Sequence, residues 1–354
     1  MASSEDRPPT PWATPVWSSP RTDWQGQGVS NHSACLIGID LGGTATKFGL
    51  IDPQGLVLAR LSAPTEAKRG PEHALEVFAN GVGQLLAEAD RERDGILGLG
   101  LGSPGPLSYS QGKLWDPGNL PGWAEFPLRD RLAERLDLPV VLDNDANMAA
   151  LGEFWMGAGR DVRDMVLFTL GTGVGSGIIL DGNVLHGHFE NAAELGHMIV
   201  APDGRRCTCG QEGCLEAYAS ANAAVALAVE AAQGRPHSLL QARLQSRGRL
   251  DSVDLVQACE AGDQTALEVW DTVCRMLAVA CVNVQHALNV ELIVLGGGMA
   301  GAGRLLLECV QRHFDGLTWR LAADQPRLAL ARLGNDAGII GAARRALQVF
   351  GASA

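Results

Sequence analysis

Short apolar runs punctuated by glycine turns open the patterned part of the chain. Residues 35–40, Cys-Leu-Ile-Gly-Ile-Asp, predict a strand that Gly42-Gly43 turns into a second strand over 47–52. Pro53-Gln54-Gly55 turns again, into a third strand at 56–59. From Pro71 the apolar positions Leu75, Phe78, Val82, Leu85 and Leu86 fall at helical spacing and predict a helix to about residue 90. A strand is expected over 96–102, running into Ser103-Pro104-Gly105-Pro106. A helix over 128–136, a strand over 140–142 and a helix from about Ala146 complete this half.

The opening pattern then recurs. Asp40-Leu41-Gly42-Gly43 overlays Thr169-Leu170-Gly171-Thr172 at an offset of 129, and at that offset Leu50-Ile51-Asp52 falls on Ile179-Leu180-Asp181, with the second turn one residue shorter. Two copies of strand, glycine hairpin, strand, turn and strand point to duplication, and two similar halves imply a cleft between two lobes. The second half predicts helices over 219–232 and 264–288. In the latter, Leu267, Trp270, Val273, Cys274, Leu277, Cys281 and Val284 mark one apolar face. A strand over 291–295 runs into Gly296-Gly297-Gly298, and a helix is expected over 338–350. The domain division read from this is an extension over 1–34, an N-terminal lobe over 35–150 with the last helix packing back on it, and a C-terminal lobe over 151–337.

Composition narrows the class. Of 354 residues, 46% are hydrophobic and 19% charged, an ordinary globular balance. The formal charge of −12 disfavours a nucleic-acid-binding surface, which needs a basic stripe. Apolar runs such as 276–282 are too short to span a bilayer, so no membrane partner is expected. Residues 1–34 carry prolines and tryptophans without a period and read as a mobile extension or, alternatively, a docking peptide. They carry no secretory pattern, so a cytoplasmic location and reduced thiols are expected. Cys35, Cys259, Cys274, Cys281 and Cys309 stand singly in apolar contexts and read as small core residues.

The candidate chemistry lies in the glycine clusters and their polar neighbours. Gly42-Gly43-Thr44 is not a P-loop, but a tight hairpin with free N–H groups, the Thr44 hydroxyl and nearby Lys47 can take phosphate oxygens. Asp40 beside it can hold Mg²⁺ directly or through water; a plain glycine turn is the alternative. Gly171-Thr172-Gly173 repeats this chemistry, and Gly296-Gly297-Gly298 suits the close approach of a base or ribose. Together they point to a nucleotide.

Asp143, Asn144, Asp145 and Asn147 crowd the end of a strand and the start of a helix. One residue suffices for a helix cap, so a carboxylate remains that can accept a hydroxyl proton. Cys207, Cys209 and Cys214, with His197 upstream, match a closed tetrahedral zinc shell, against the alternative of three free thiols in a polar loop. A closed shell cannot activate water. It would shape the loop that carries Glu194 and Glu216, two carboxylates suited to vicinal sugar hydroxyls.

These residues resemble the ROK family of repressors, open reading frames and sugar kinases, and within it the bacterial glucokinases, over about residues 35–350. The resemblance rests on Asp40-x-Gly-Gly-Thr-x-x-Lys47, Gly-Ser-Pro-Gly-Pro at 102–106, Asn119-Leu-Pro-Gly-Trp123 and Asn144-Asp145-Ala-Asn147. It rests further on Glu194-x-Gly-His197 and Cys-x-Cys-Gly-x-x-Gly-Cys-x-Glu at 207–216. It implies an actin-like ATPase fold, α/β, of two RNase-H-like lobes closing on a hexose and ATP with Mg²⁺. By the resemblance Asp145 is the base toward the sugar 6-hydroxyl, and Asn144, Glu194, His197, Glu216, Gly105 and Asn119 bind the sugar. His197 would use one ring nitrogen for structural Zn²⁺, shared with Cys207, Cys209 and Cys214, and the other for the sugar. Ala193 departs from the glycine many relatives have there and adds a methyl beside a sugar ligand.

The expected activity is ATP-dependent phosphorylation of a hexose, glucose foremost, by a homo-oligomer, dimer or tetramer. An N-acetylhexosamine kinase and a non-catalytic sugar-sensing regulator are the alternatives, with polyphosphate a second candidate donor. A repressor would carry a winged helix before the first strand, where the Pro-rich extension stands, and a pure sensor has no need of Asp145.

Overall fold

A computed structural model of the chain describes residues 34–118, 120–319 and 325–351. Residues 1–33 of the expected extension, and Asn119, lie outside the described residues.

The first half runs β1 (Cys35–Leu41), β2 (Ala45–Ile51), β3 (Val57–Pro64), α1 (Pro71–Glu88), β4 (Ile96–Ser103), a small hairpin of β5 (Leu107–Ser108) and β6 (Lys113–Leu114), α2 (Leu128–Leu136), β7 (Val140–Asn144) and α3 (Asp145–Met156). The second half runs β8 (Met165–Leu170), β9 (Val174–Leu180), β10 (Asn183–Val184), α4 (Glu216–Ala219), α5 (Ala221–Ala232), α6 (Leu239–Arg247), α7 (Ser252–Glu260), α8 (Gln264–Leu288), β11 (Leu292–Gly296), α9 (Arg304–Leu317), β12 (Arg327–Leu330) and α10 (Ala337–Phe350). The expected elements leave out α6, α7 and α9; α6 buries only Leu240, whereas α9 is amphipathic and buries Leu306, Val310 and Phe314 at four-residue spacing.

Both halves build the same sheet. The strand orders are β3-β2-β1-β4-β7 and β10-β9-β8-β11-β12, each an antiparallel meander with two parallel strands added to its first strand. The pairing corrects one detail of the repeat. Leu41 pairs Thr46, but Leu170 pairs Val174, so the glycine hairpin itself is one residue shorter in the second copy. The offset is 129 for the first strand and 128 for the second. A one-residue slip would turn every side chain of β9 to the wrong face, so the hairpin must absorb the difference.

The helices that end the two halves cross over. α10, from the second half, packs on β1, β2, β4 and β7, whereas α3, from the first half, packs on β8 and β9, and the two helices pack on each other. Glycine permits this closeness. A Cβ on Gly100 would stand 1.9 Å from the carbonyl oxygen of Ala342 in α10, and one on Gly177 would stand 2.5 Å from Ala150 Cβ in α3. Any side chain at either strand position would push its helix off the sheet.

Each half has its own core. In the first, α1 places Leu75, Phe78, Val82, Leu85 and Leu86 on the sheet, all buried, with Phe78 edge-on to Phe48 at 6.5 Å. In the second, α8 buries Trp270, Val273, Cys274, Leu277, Cys281 and Val284 against β8, β9 and the surrounding helices. Each such side chain contributes roughly 1.5–3 kcal/mol of transfer free energy. Leu267 departs from its expected place: it is exposed and borders a groove between α8 and α9. Among the described residues no helix is long and apolar enough to cross a membrane.

Candidate active site

The turn from β7 to α3 sorts its polar residues by task. Asn144 is the N-cap, its side-chain oxygen accepting from the backbone N–H of Ala146 at 2.9 Å and of Asn147 at 3.2 Å. Asp143 is buried and accepts from Asn144 N at 2.8 Å and Asn147 Nδ2 at 3.1 Å. That leaves Asp145, held by one bond from Ala146 N at 2.8 Å. Burial, then the charge of Asp40, and more weakly that of Glu194, push the Asp145 carboxyl up to about 6. A carboxylate poised there is suited to general-base work near neutral pH. Gly105 lies against the turn, its Cβ position 3.4 Å from Asn144 Nδ2.

The glycine hairpins stand at matching places in the two sheets. Lys47 Nζ lies 3.5 Å from Asp40 Oδ2 and donates to the Asn335 carbonyl at 3.4 Å, just before α10. The Asp40 carboxyl is raised by burial, against the pull of Lys47, and lies against Gly338 of α10. Not every expected donor is free. Gly42 N closes its hairpin on Ala45 O at 3.1 Å and Gly171 N closes the other on Gly173 O at 3.0 Å, because a tight turn satisfies its own ends. Gly43 and Gly171 have open space where a Cβ would be. Gly297, at φ 79°, packs on the Leu170 backbone and brings the Gly296–Gly298 turn beside the second hairpin. Thr44 instead uses its carbonyl to receive Thr65 N at 3.0 Å.

The cysteine loop gathers as its spacing predicts. Ligand atoms of His197, Cys207, Cys209 and Cys214 all lie within 4.8 Å of one another. His197 Nδ1 is 3.7 Å from Cys207 Sγ, and Cys209 Sγ is 3.7 Å from Cys214 Sγ. Burial and the neighbouring thiols raise Cys214 to about 12, so by itself it stays a neutral thiol; the gathered donor set of one imidazole and three sulfurs is what fits Zn²⁺. Glu216, at the start of α4, is already engaged. It accepts from Val174 N at 3.0 Å and Thr208 Oγ1 at 3.1 Å, tying the cysteine loop to the second hairpin. Glu194 is raised by burial and by the Glu216 charge, with His197 opposing. The buried Ser176 hydroxyl donates to Ala193 O and accepts from Leu195 N at 3.1 Å, so it brackets Glu194 from both sides. Ala193 adopts φ 68°, a left-handed conformation that costs a residue with a Cβ about 1 kcal/mol.

The sequence reading missed a strap. His186 Nε2 is 2.7 Å from the buried Asp143 Oδ2, and its ring stacks on Tyr109 at 4.7 Å, with the Arg345 guanidinium 4.9 Å from the Tyr109 ring. Further on, Glu190 accepts from Ser108 Oγ at 2.8 Å, and Asn191 bonds both backbone groups of Leu107. Residues 186–191 of the second half are thereby fastened to 107–110 of the first, between Gly105 and Glu194. The polar run His-Gly-His-Phe-Glu-Asn was the available signal, but nothing local names its partners. His186→Ala is expected to raise amide hydrogen exchange in both segments by about tenfold while α1 keeps its protection. Unchanged exchange in 107–110 would refute the strap.

Two glycine hairpins on duplicated sheets, with a carboxylate where β7 meets α3, define a two-lobed phosphotransferase-like architecture. The ROK family model matches residues 36–349, and the chain belongs to the ROK family. A glucokinase from Halalkalibacterium halodurans is 40% identical over 306 residues, 86% of this chain and 92% of its own. Among solved structures, a ROK family glucokinase from Streptomyces griseus in complex with glucose and AMPPNP superposes with a TM-score of 0.75 at 31% identity, covering 89% of this chain and all of its own. A ROK hexokinase from Thermus thermophilus gives 0.72 at 34% identity, covering 87% and 96%. The fold is accordingly the actin-like ATPase fold.

Proposed function

We propose that this protein transfers the γ-phosphoryl group of ATP to the 6-hydroxyl of a hexose, with glucose the preferred acceptor. The observation that carries the reading is Asp145: a carboxylate at the first position of α3, directly after β7, raised to about 6 by burial and by the charges of Asp40 and Glu194. The similarity to glucokinases supports the substrate class.

In this reading Asp145 takes the hydroxyl proton as the sugar oxygen attacks phosphorus. Asn144, Glu194, His197, Glu216 and Gly105 hold the sugar, with Asn119 assigned by its motif. Gly42, Gly43, Thr44, Lys47, Gly171, Thr172 and Gly173 hold the phosphates, and Gly296, Gly297 and Gly298 the nucleoside. Phosphoryl transfer needs chiefly positioning and charge neutralisation. Mg²⁺ supplies the latter when bound, with Asp40 as its protein ligand. Zn²⁺ on His197, Cys207, Cys209 and Cys214 has a shaping role. The reading includes two lobes, 35–150 with 338–350 and 151–337, a homo-oligomer and a cytoplasmic location.

Initial rates of ADP release over a panel of hexoses with ATP and Mg²⁺ test it. Glucose is expected to exceed N-acetylglucosamine in kcat/KM, the ratio that measures discrimination. A higher ratio for the acetylated sugar overturns the substrate, and no ADP release with any sugar overturns the reaction.

A further inference from the structure

Cys274 and Cys309 are expected as isolated core thiols, yet they meet where α8 packs on α9. Both belong to one core cluster, where the two thiols interact, and Arg312 Nη2 donates to the Cys309 sulfur at 3.2 Å. Arg312 also donates to Asp271 Oδ1 at 2.8 Å, where His313 Nε2 approaches to 2.8 Å, so the guanidinium is held over the sulfur. Cys274 is fully buried behind, whereas Cys309 is half-buried and lines the open α8–α9 groove of about 740 Å³, beside Trp270 and Leu305. One thiol is thus reachable and cation-supported, with a second thiol shielded in contact behind it.

Asp271, Cys309 and His313 present ligand atoms within 4.8 Å of one another, a grouping that would also suit a metal ion. Arg312 already supplies the cation among them, which favours thiol chemistry.

We propose that Cys309 is a peroxide-reactive thiol and that Cys274 resolves it into a reversible disulfide joining α8 to α9. The Cys309 thiolate attacks one peroxide oxygen; the S–O bond forms, the O–O bond breaks, and hydroxide leaves to become water on protonation. Cys274 sulfur then attacks the sulfenic sulfur. The S–S bond forms, the S–O bond breaks, and the second water leaves with the Cys274 proton. Two thiols are oxidised and one peroxide is reduced to two waters; a dithiol reductant reverses it by exchange. The direction of the acidities agrees: the neighbouring Cys274 thiol and the Arg312 charge lower the Cys309 thiol against burial and the Asp271 charge, whereas the Cys309 neighbour and burial raise Cys274. This site shares no residue with the phosphoryl-transfer machinery and stands independently of that reading.

The test treats reduced full-length protein with hydrogen peroxide, alkylates it under denaturing conditions and maps the peptides by mass. The expected product is a linked pair of peptides carrying Cys274 and Cys309, lost on adding dithiothreitol. Cys309→Ser should abolish the link and leave Cys274 alkylated. Arg312→Ala, at a mostly exposed side chain, should slow linkage by about fivefold or more. Cys309 recovered as sulfinic acid with Cys274 free, Cys309 left unmodified, or an unchanged rate in Arg312→Ala would each overturn the proposal.

Discussion

Asp145→Asn is expected to lower turnover by about 10²-fold or more while hexose and ATP still bind. The amide keeps the bond from Ala146 N, so the β7–α3 turn persists, but it cannot accept a proton. Residual activity above about a tenth of the wild type, in a variant folded by circular dichroism, would remove Asp145 as the base. The pH profile gives a second check. With the carboxyl at about 6, the wild-type kcat/KM should rise with pH up to about 6 and level off above it.

The same substitution is expected to stabilise the fold, which separates a lost function from a damaged structure. The folded carboxyl is raised from 3.8 to about 6, so the folded state binds a proton more readily than the unfolded chain. Its contribution is fully present below about 3.8 and is lost as pH rises through about 6. At pH 8 the ionised group therefore costs at most about 3 kcal/mol. Asp145→Asn should raise Tm at pH 8 and have little effect near pH 4. A lower Tm at pH 8 would show that burial beside Asp40 is not the source of the strain. Activity is thus maintained at some expense of stability, as expected of a site that keeps like charges together.

Disrupting the proposed zinc site is expected to have the next largest effect. Cys209 is exposed, so Cys209→Ser deletes a ligand without opening a core cavity. The loop should then lose its anchor, and hexose affinity should fall by about tenfold or more. Nucleotide affinity should fall less. Glu216 links the loop to Val174, but the 42–44 and 296–298 turns are anchored elsewhere. Metal analysis should return one zinc per chain in the wild type, and titration calorimetry on stripped protein should show the same selective loss, restored by zinc. Undiminished glucose affinity in metal-free wild-type protein would make the cluster incidental.

Glu216 and Asn144 carry a wider consequence for the proposed sugar site. Each has part of its bonding capacity committed within the protein: Glu216 to Val174 and Thr208, and Asn144 to the cap. Such groups lose little conformational freedom on binding, which favours affinity through preorganisation. Glu194 is positioned differently, by backbone bonds on both its flanks through Ser176.

Local pattern and spacing were enough, in the sequence by itself, for the strands of both meanders, for α1 and α8, for the duplication and for the cysteine shell. Those features repeat at periods of two or about 3.6, or rest on ligands close together in the chain, so short windows carry them. The tertiary structure alone decided the rest. The last helix was expected on the first lobe, but the seating of α3 on β8 and β9 was not, and both depend on strand glycines that let a helix approach, as Gly100 meets Ala342 and Gly177 meets Ala150. Asp143 was one of four crowded polar residues with no task of its own until His186, 43 residues away, arrived as its partner. Cys274 and Cys309 read as small core thiols because each stands in an apolar context; Arg312 reaches Cys309 within α9, but only the packing of α8 on α9 brought Cys274 to them. The acidity of Asp145 belongs to this second group as well: it comes from burial and from the charge of Asp40 on β1, and a carboxyl has no such surroundings until the chain has folded.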